Sequence, residues 1–109
     1  MSGMRGDGMI ADVIPERVAY TQLAEECTEL AHAALKLGRY ADSAQRGAIG
    51  NFAKDKWLEN LYEEIADVMV CVQVVLKYQG DGEDPMTIIE RIKKEKTERW
   101  CQRLGAKGE

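Results

Sequence analysis

The sequence predicts an all-α fold, and three observations carry that expectation. Apolar residues recur at helical spacing in three segments. Each segment is long for a strand, and the Val-rich one has a Glu-rich helical lead-in. Gly and Pro punctuate the boundaries between them. With 109 residues, one domain is expected. The expected architecture is a small bundle of three main helices, with a short fourth in the connector as an alternative. Because a small helical chain gains stability by association, the bundle is expected to be completed by homo-oligomerisation.

Residues 1–12 hold three glycines and little periodicity, which reads as a loose leader. Met9, Ile10, Val13 and Ile14 are its candidates for docking on a core. Pro15 suits the first turn of a helix. Val18, Leu23, Cys27, Leu30, Ala34 and Leu37 then mark an apolar stripe, and Gly38 reads as its stop, giving a first helix over about 15–37. Residues 38–54 read as a basic, glycine-containing connector, with a short helix over 41–46 as an option. A second helix is expected over about 55–78, with Trp57, Leu58, Leu61, Ile65, Val68, Met69, Val72, Val75 and Leu76 on its stripe. Val70, Cys71 and Val74 make its second half apolar nearly all round, so that half needs cover on several sides. Pairing of subunits through this helix is the expected solution. Gly80-Asp81-Gly82 reads as a turn. Asp84-Pro85 provides an N-cap followed by proline at the first helical position. The third helix is expected to run to about residue 104, burying Met86, Ile89, Ile92, Trp100 and Leu104. The domain is thus read as 13–104, with 105–109 as a frayed tail.

The net charge is −4, which argues against a general nucleic-acid or membrane-surface binder. Cys27, Cys71 and Cys101 form no CxxC pair and no zinc ligand set. No apolar leader or membrane-spanning stretch is present. These features lead to the expectation of a soluble, cytoplasmic protein.

The informative chemistry lies in two acidic pairs, Glu26-Cys27-Thr28-Glu29 and Glu64-Ile65-Ala66-Asp67. Residues three apart share a helix face, so packing the two helices together can bring four carboxylates to one point. Most acidic pairs on helices are solvated surface. These two are flanked by the apolar stripes, where unneutralised carboxylates are costly. Like charges raise one another's pKa, and an all-oxygen set suits a hard cation such as Mg²⁺. Spacing does not select the ligands. Glu25 with Glu29, and Glu63 with Asp67, are i,i+4 pairs that also share a face.

The run Glu25-Glu26-Cys27-Thr28-Glu29-Leu30, followed by Glu63-Glu64-Ile65-Ala66-Asp67-Val68, resembles the ExxE…ExxD signature of the MazG-like all-α nucleoside triphosphate pyrophosphohydrolases. The Leu-Ala-His-Ala-Ala and Val-Met-Val flanks strengthen the resemblance, which covers about residues 15–104. It implies Glu26, Glu29, Glu64 and Asp67 as Mg²⁺ ligands, with Mn²⁺ as a substitute. It implies hydrolysis of a nucleoside triphosphate to monophosphate and pyrophosphate by a homodimer or homotetramer. Glu25 or Glu63, beside the ligand face, is the candidate to orient or deprotonate water. Lys93, Lys96 and Arg99 at helical spacing are candidate phosphate contacts, with Lys54 and Lys56 as alternatives from the connector. The segment between the acidic motifs is long for the simplest members, and substrate choice stays open. Tyr40, Phe52 and Trp57 are candidates to stack on a base, with core packing as the competing role for Trp57.

Other readings account for part of the same pattern. A non-catalytic helical dimerisation or adaptor module explains the apolar second half of helix two, but not the acids beside the core. A dUTPase-like or phosphoribosyl-ATP-like hydrolase shares the metal site and differs in its pocket. Glu29-Leu30-Ala31-His32 is an E-x-x-H, but Asp67 is followed three later by Val70, so a di-iron bundle lacks its second half. Gly47-Ala48-Ile49-Gly50 lacks the Lys-Ser/Thr of a P-loop.

Overall fold

The structure, a computed structural model, describes residues 3–41 and 46–105, with side chains for 6, 8–41 and 53–105. It is helical, with no strand among the described residues. Four helices follow in order: α1 (Gly3–Val13), α2 (Glu16–Ala41), α3 (Arg46–Leu76) and α4 (Pro85–Arg103). The chain divides into two compact units, Met1–Tyr78 and Gln79–Glu109.

In the first unit α2 lies along α3, and α1 packs against α3. Two contacts fix the sense of the α2–α3 pair as antiparallel. Ala19, near the start of α2, packs with Val74 and Val75, near the end of α3. At the other end, the Tyr40 and Trp57 rings meet edge to face at 5.9 Å, and Lys36 Nζ sits 5.7 Å from the Trp57 ring. Trp57 is therefore held by its neighbours in the helix pair, in the packing role.

The segment expected to be a loose leader is helix α1. Ala11 and Ile14 pack against the Ala19–Val74–Val75 core, and such tertiary burial outweighs the roughly 1 kcal/mol that each helical glycine costs relative to Ala. Residue Tyr78 pins the junction between α1 and α2: its hydroxyl donates to the Ile14 carbonyl at 2.6 Å. Burial, with the charges of Glu16 and Asp12, pushes the Tyr78 hydroxyl pKa up.

Gly38 does not stop α2, which continues to Ala41. It carries no positive φ, and a Cβ there would meet nothing, so neither geometry nor space requires glycine. Most of the expected connector is likewise the start of α3, a helix of 31 residues. The short helix suggested over 41–46 falls largely on 42–45, outside the described residues, as does the Phe52 side chain.

The buried register of α2 differs from the predicted stripe. Ala19 and Ala33 are buried, whereas Cys27 and Ala34 are exposed. On α3, of the residues that make the second half apolar nearly all round, Val74 is buried, Cys71 is half-buried and Val70 is 49% exposed, while Ile65 and Met69 of the expected buried stripe are 38% and 58% exposed.

In the second unit α4 begins as expected. Asp84 is the N-cap, its carboxylate accepting from the Thr87 N–H at 3.2 Å, with Pro85 following. Arg91 reaches back to Glu83 with two hydrogen bonds of 3.0 and 3.2 Å. Gly105 takes φ +67° after the Leu104 cap, where a left-handed residue ends a helix most easily. The stripe expected to be buried is not: no α4 residue is buried, and Trp100 and Leu104 are 62% and 71% exposed.

The Tyr78–Ile14 bond yields a direct test. Tyr78→Phe keeps the ring and removes the hydroxyl. It should lower unfolding stability by about 0.5–1.5 kcal/mol in a denaturant titration. An unchanged midpoint would show that the bond holds nothing.

Candidate metal centre

The antiparallel α2–α3 pair places the middle of α2 opposite the middle of α3. Glu26 from α2 and Glu64 and Asp67 from α3 converge there, with one carboxylate oxygen from each within 4.8 Å of the others. Glu26 and Glu64 are half-buried and Asp67 is exposed. Glu64 and Asp67 are thus together on α3, and they meet Glu26 of the α2 pair.

Glu64 is the strained member. Its Oε1 is buried and accepts no hydrogen bond from the described residues, an uncommon and costly state for a carboxylate oxygen. Burial pushes the Glu64 carboxyl pKa above its ordinary 4.5, and the charges of Asp67, Glu26, Glu29 and Glu63 push it further. Glu26 is tethered on its other side, since Gln22 Nε2 donates to Glu26 Oε2 at 3.1 Å. The Cys71 thiol pKa is also raised, first by burial and then by Glu26, Asp67 and Cys27.

These residues fit a hard divalent cation. The donors are all oxygen, they are three in number on two rigid helices, and one of them is an orphaned buried oxygen. A cation there would offset the mutual repulsion and give Glu64 Oε1 a partner.

Glu29 does not join the converging oxygens. It is exposed, one turn further along α2, and acts on Glu64 only through its charge. Glu25 and Glu63, the candidate bases, are both exposed and lie outside the group. Lys93, Lys96 and Arg99 lie on α4, in the second unit. Lys93 pairs with Glu90 at 3.5 Å, while Lys96 and Arg99 line a shallow pocket with Trp100 and Arg103. Lys54 and Lys56 are exposed on α3, as is His32 on α2. Gln22 was missed by sequence reasoning. Its signal is the i,i+4 spacing to Glu26, which permits a Gln-to-carboxylate hydrogen bond on a helix.

Comparison with protein-family models, with curated proteins and with solved structures finds no match to this chain. Among the described residues, no helix is long and apolar enough to cross a membrane.

Glu64 makes a pH prediction whose sign is opposite to ordinary acid denaturation. Its carboxyl titrates higher in the folded protein, so the folded state holds more protons across that window and stability falls as pH rises through it. The penalty is complete above the raised pKa and absent below about 4.5. In EDTA at neutral pH, Glu64→Gln should therefore melt higher than wild type, with the advantage vanishing as pH falls toward 4.5. Parallel melting curves at all pH values would contradict the repulsion.

Proposed function

We propose that this chain is a Mg²⁺-dependent nucleoside triphosphate pyrophosphohydrolase, with Mn²⁺ able to substitute. The supporting observation is the meeting of Glu26, Glu64 and Asp67 across two helices, with one buried carboxylate oxygen left without a partner. The likeness of the two acidic motifs to the MazG-like signature points the same way. Glu26, Glu64 and Asp67 are the metal-holding residues in this reading, and Glu29 adds charge beside them.

Bound Mg²⁺ supplies charge neutralisation, polarisation of a phosphoryl oxygen and a lowered pKa for a bound water. The residues of the chain then have separable tasks. Glu25 or Glu63, exposed at the margin of the cluster, orients the attacking water and takes its proton. The water oxygen bonds to phosphorus at the α–β anhydride, the anhydride P–O bond breaks, and pyrophosphate leaves. Lys93, Lys96 and Arg99 of α4, in the second unit, remain the phosphate-contact candidates that the motif likeness suggests.

A homodimer or homotetramer is part of this proposal. The outward-facing Ile65, Met69 and Val70 of α3 are apolar surface that a second subunit would cover. That same surface favours the second reading, a non-catalytic helical dimerisation module, which leaves the orphaned Glu64 oxygen without a role.

Pyrophosphate release separates the two. With Mg²⁺ and a panel of ribo- and deoxynucleoside triphosphates, wild type should release pyrophosphate from at least one. Glu26→Gln should lose about 10²-fold or more of that rate, in the range seen when one electrostatic contact to a reacting centre is removed. Release unaffected by the substitution would sink the ligand assignment. No release from any nucleotide would favour the dimerisation module.

A further inference from the structure

One turn away from the acidic cluster, α1, α2 and α3 enclose an open-mouthed cavity of about 200 Å³. Its walls include Ile10 from α1, Ile14 from the α1–α2 junction, Gln22 from α2, and Val70, Cys71 and Val74 from α3. The lining is almost wholly apolar, and Gln22 brings the one amide side chain.

Three observations tie this cavity to the cluster. Gln22 precedes Glu26 by four residues on α2, and Cys71 follows Asp67 by four on α3. Because the helices are antiparallel, both steps run the same way, by about 6 Å at 1.5 Å per residue. The Gln22 amide is itself hydrogen-bonded to Glu26. The Cys71 thiol feels the charges of both Glu26 and Asp67. The apolar cavity and the carboxylates therefore lie one helical turn apart on the same α2–α3 pair, bridged by the Gln22–Glu26 hydrogen bond.

We propose that the cavity is the base subsite of the nucleotide: it takes the ring of a nucleoside triphosphate whose phosphates lie toward Glu26, Glu64 and Asp67. This rests on the pyrophosphohydrolase reading and adds to it the place where the base is held. A nucleotide has the matching polarity, a flat ring at one end and a metal-binding polyphosphate at the other. The volume lies below the ~300 Å³ at which whole drug-sized ligands are accommodated, which suits one ring system with its sugar outside. Gln22, standing at the joint between the two ends, is the residue placed to meet polar edges of the ring. Ile10 of α1 and Ile14 at its junction with α2 form one wall, which gives α1 a role in substrate selection.

The test compares ligands with and without a base. Binding of inorganic tripolyphosphate and of α,β-non-hydrolysable pyrimidine and purine triphosphate analogues is measured by calorimetry in Mg²⁺. Val70→Phe and Ile10→Phe, at two partly exposed wall positions, fill the cavity from different helices, and their folding is checked by melting. At least one analogue should bind wild type tenfold or more tighter than tripolyphosphate. Each filling variant should erase that advantage while leaving tripolyphosphate binding unchanged. An advantage that survives both variants, or no advantage in wild type, overturns the base subsite and leaves the hydrolase reading standing. A change confined to oligomeric state would assign the cavity to a second copy and also overturns it. Failure of wild type to bind either class of ligand overturns both readings together.

Discussion

The antiparallel packing of α2 on α3 is the constraint on which the rest of the first unit depends. Ala19 offers almost no side chain, so the α2 backbone approaches Val74 and Val75 closely. Each of those valines contributes about 1.5–3 kcal/mol by leaving water. The same packing sets the register at mid-helix, where Glu26 must face Glu64 and Asp67. Apolar packing thus holds together three carboxylates that would separate if the helices were free. The aromatic contact of Tyr40 with Trp57 and the Tyr78 bond to Ile14 fix the two ends of the pair, and so prevent relief of the repulsion by sliding.

Much of this was legible in the sequence, and the reasons differ by element. The all-helical character follows from apolar spacing, and the start of α4 from Asp84-Pro85, because both signals are local. On α3, spacing left Glu63 and Glu64 as alternative partners for Asp67, and the likeness to the ExxE…ExxD signature chose Glu64. Glu29 was expected beside Glu26, yet it stays outside the group. An i,i+3 pair shares a face without both members sharing a depth, and depth depends on how the partner helix crosses. The helical state of residues 3–13 and the passage of α2 through Gly38 were not legible. Glycine marks a cost of roughly 1 kcal/mol, which local reasoning treats as a boundary and tertiary packing overrides. Gln22 and the apolar cavity belong to the same class, since they exist only once α1, α2 and α3 are in register.

The expected burial of the α4 stripe also depends on what lies beyond a single chain's own contacts. Met86, Ile92, Trp100 and Leu104 are spaced for a core, yet remain largely exposed. Together with Ile65, Met69 and Val70 on α3, they are apolar side chains arranged at helical spacing with no burial to show for it. In the proposed homo-oligomer, such surface is what a second subunit would cover.

In the proposed function the α2–α3 pair holds a divalent cation on Glu26, Glu64 and Asp67. Titration of Mn²⁺ followed by electron paramagnetic resonance tests it most directly, because free Mn²⁺ loses its signal on binding and no nucleotide or turnover is needed. The account predicts saturable binding by wild type that Glu64→Gln weakens strongly and Lys56→Gln, at an exposed site on the same helix, leaves unchanged. Absence of saturable binding, or binding indifferent to Glu64→Gln, would contradict it.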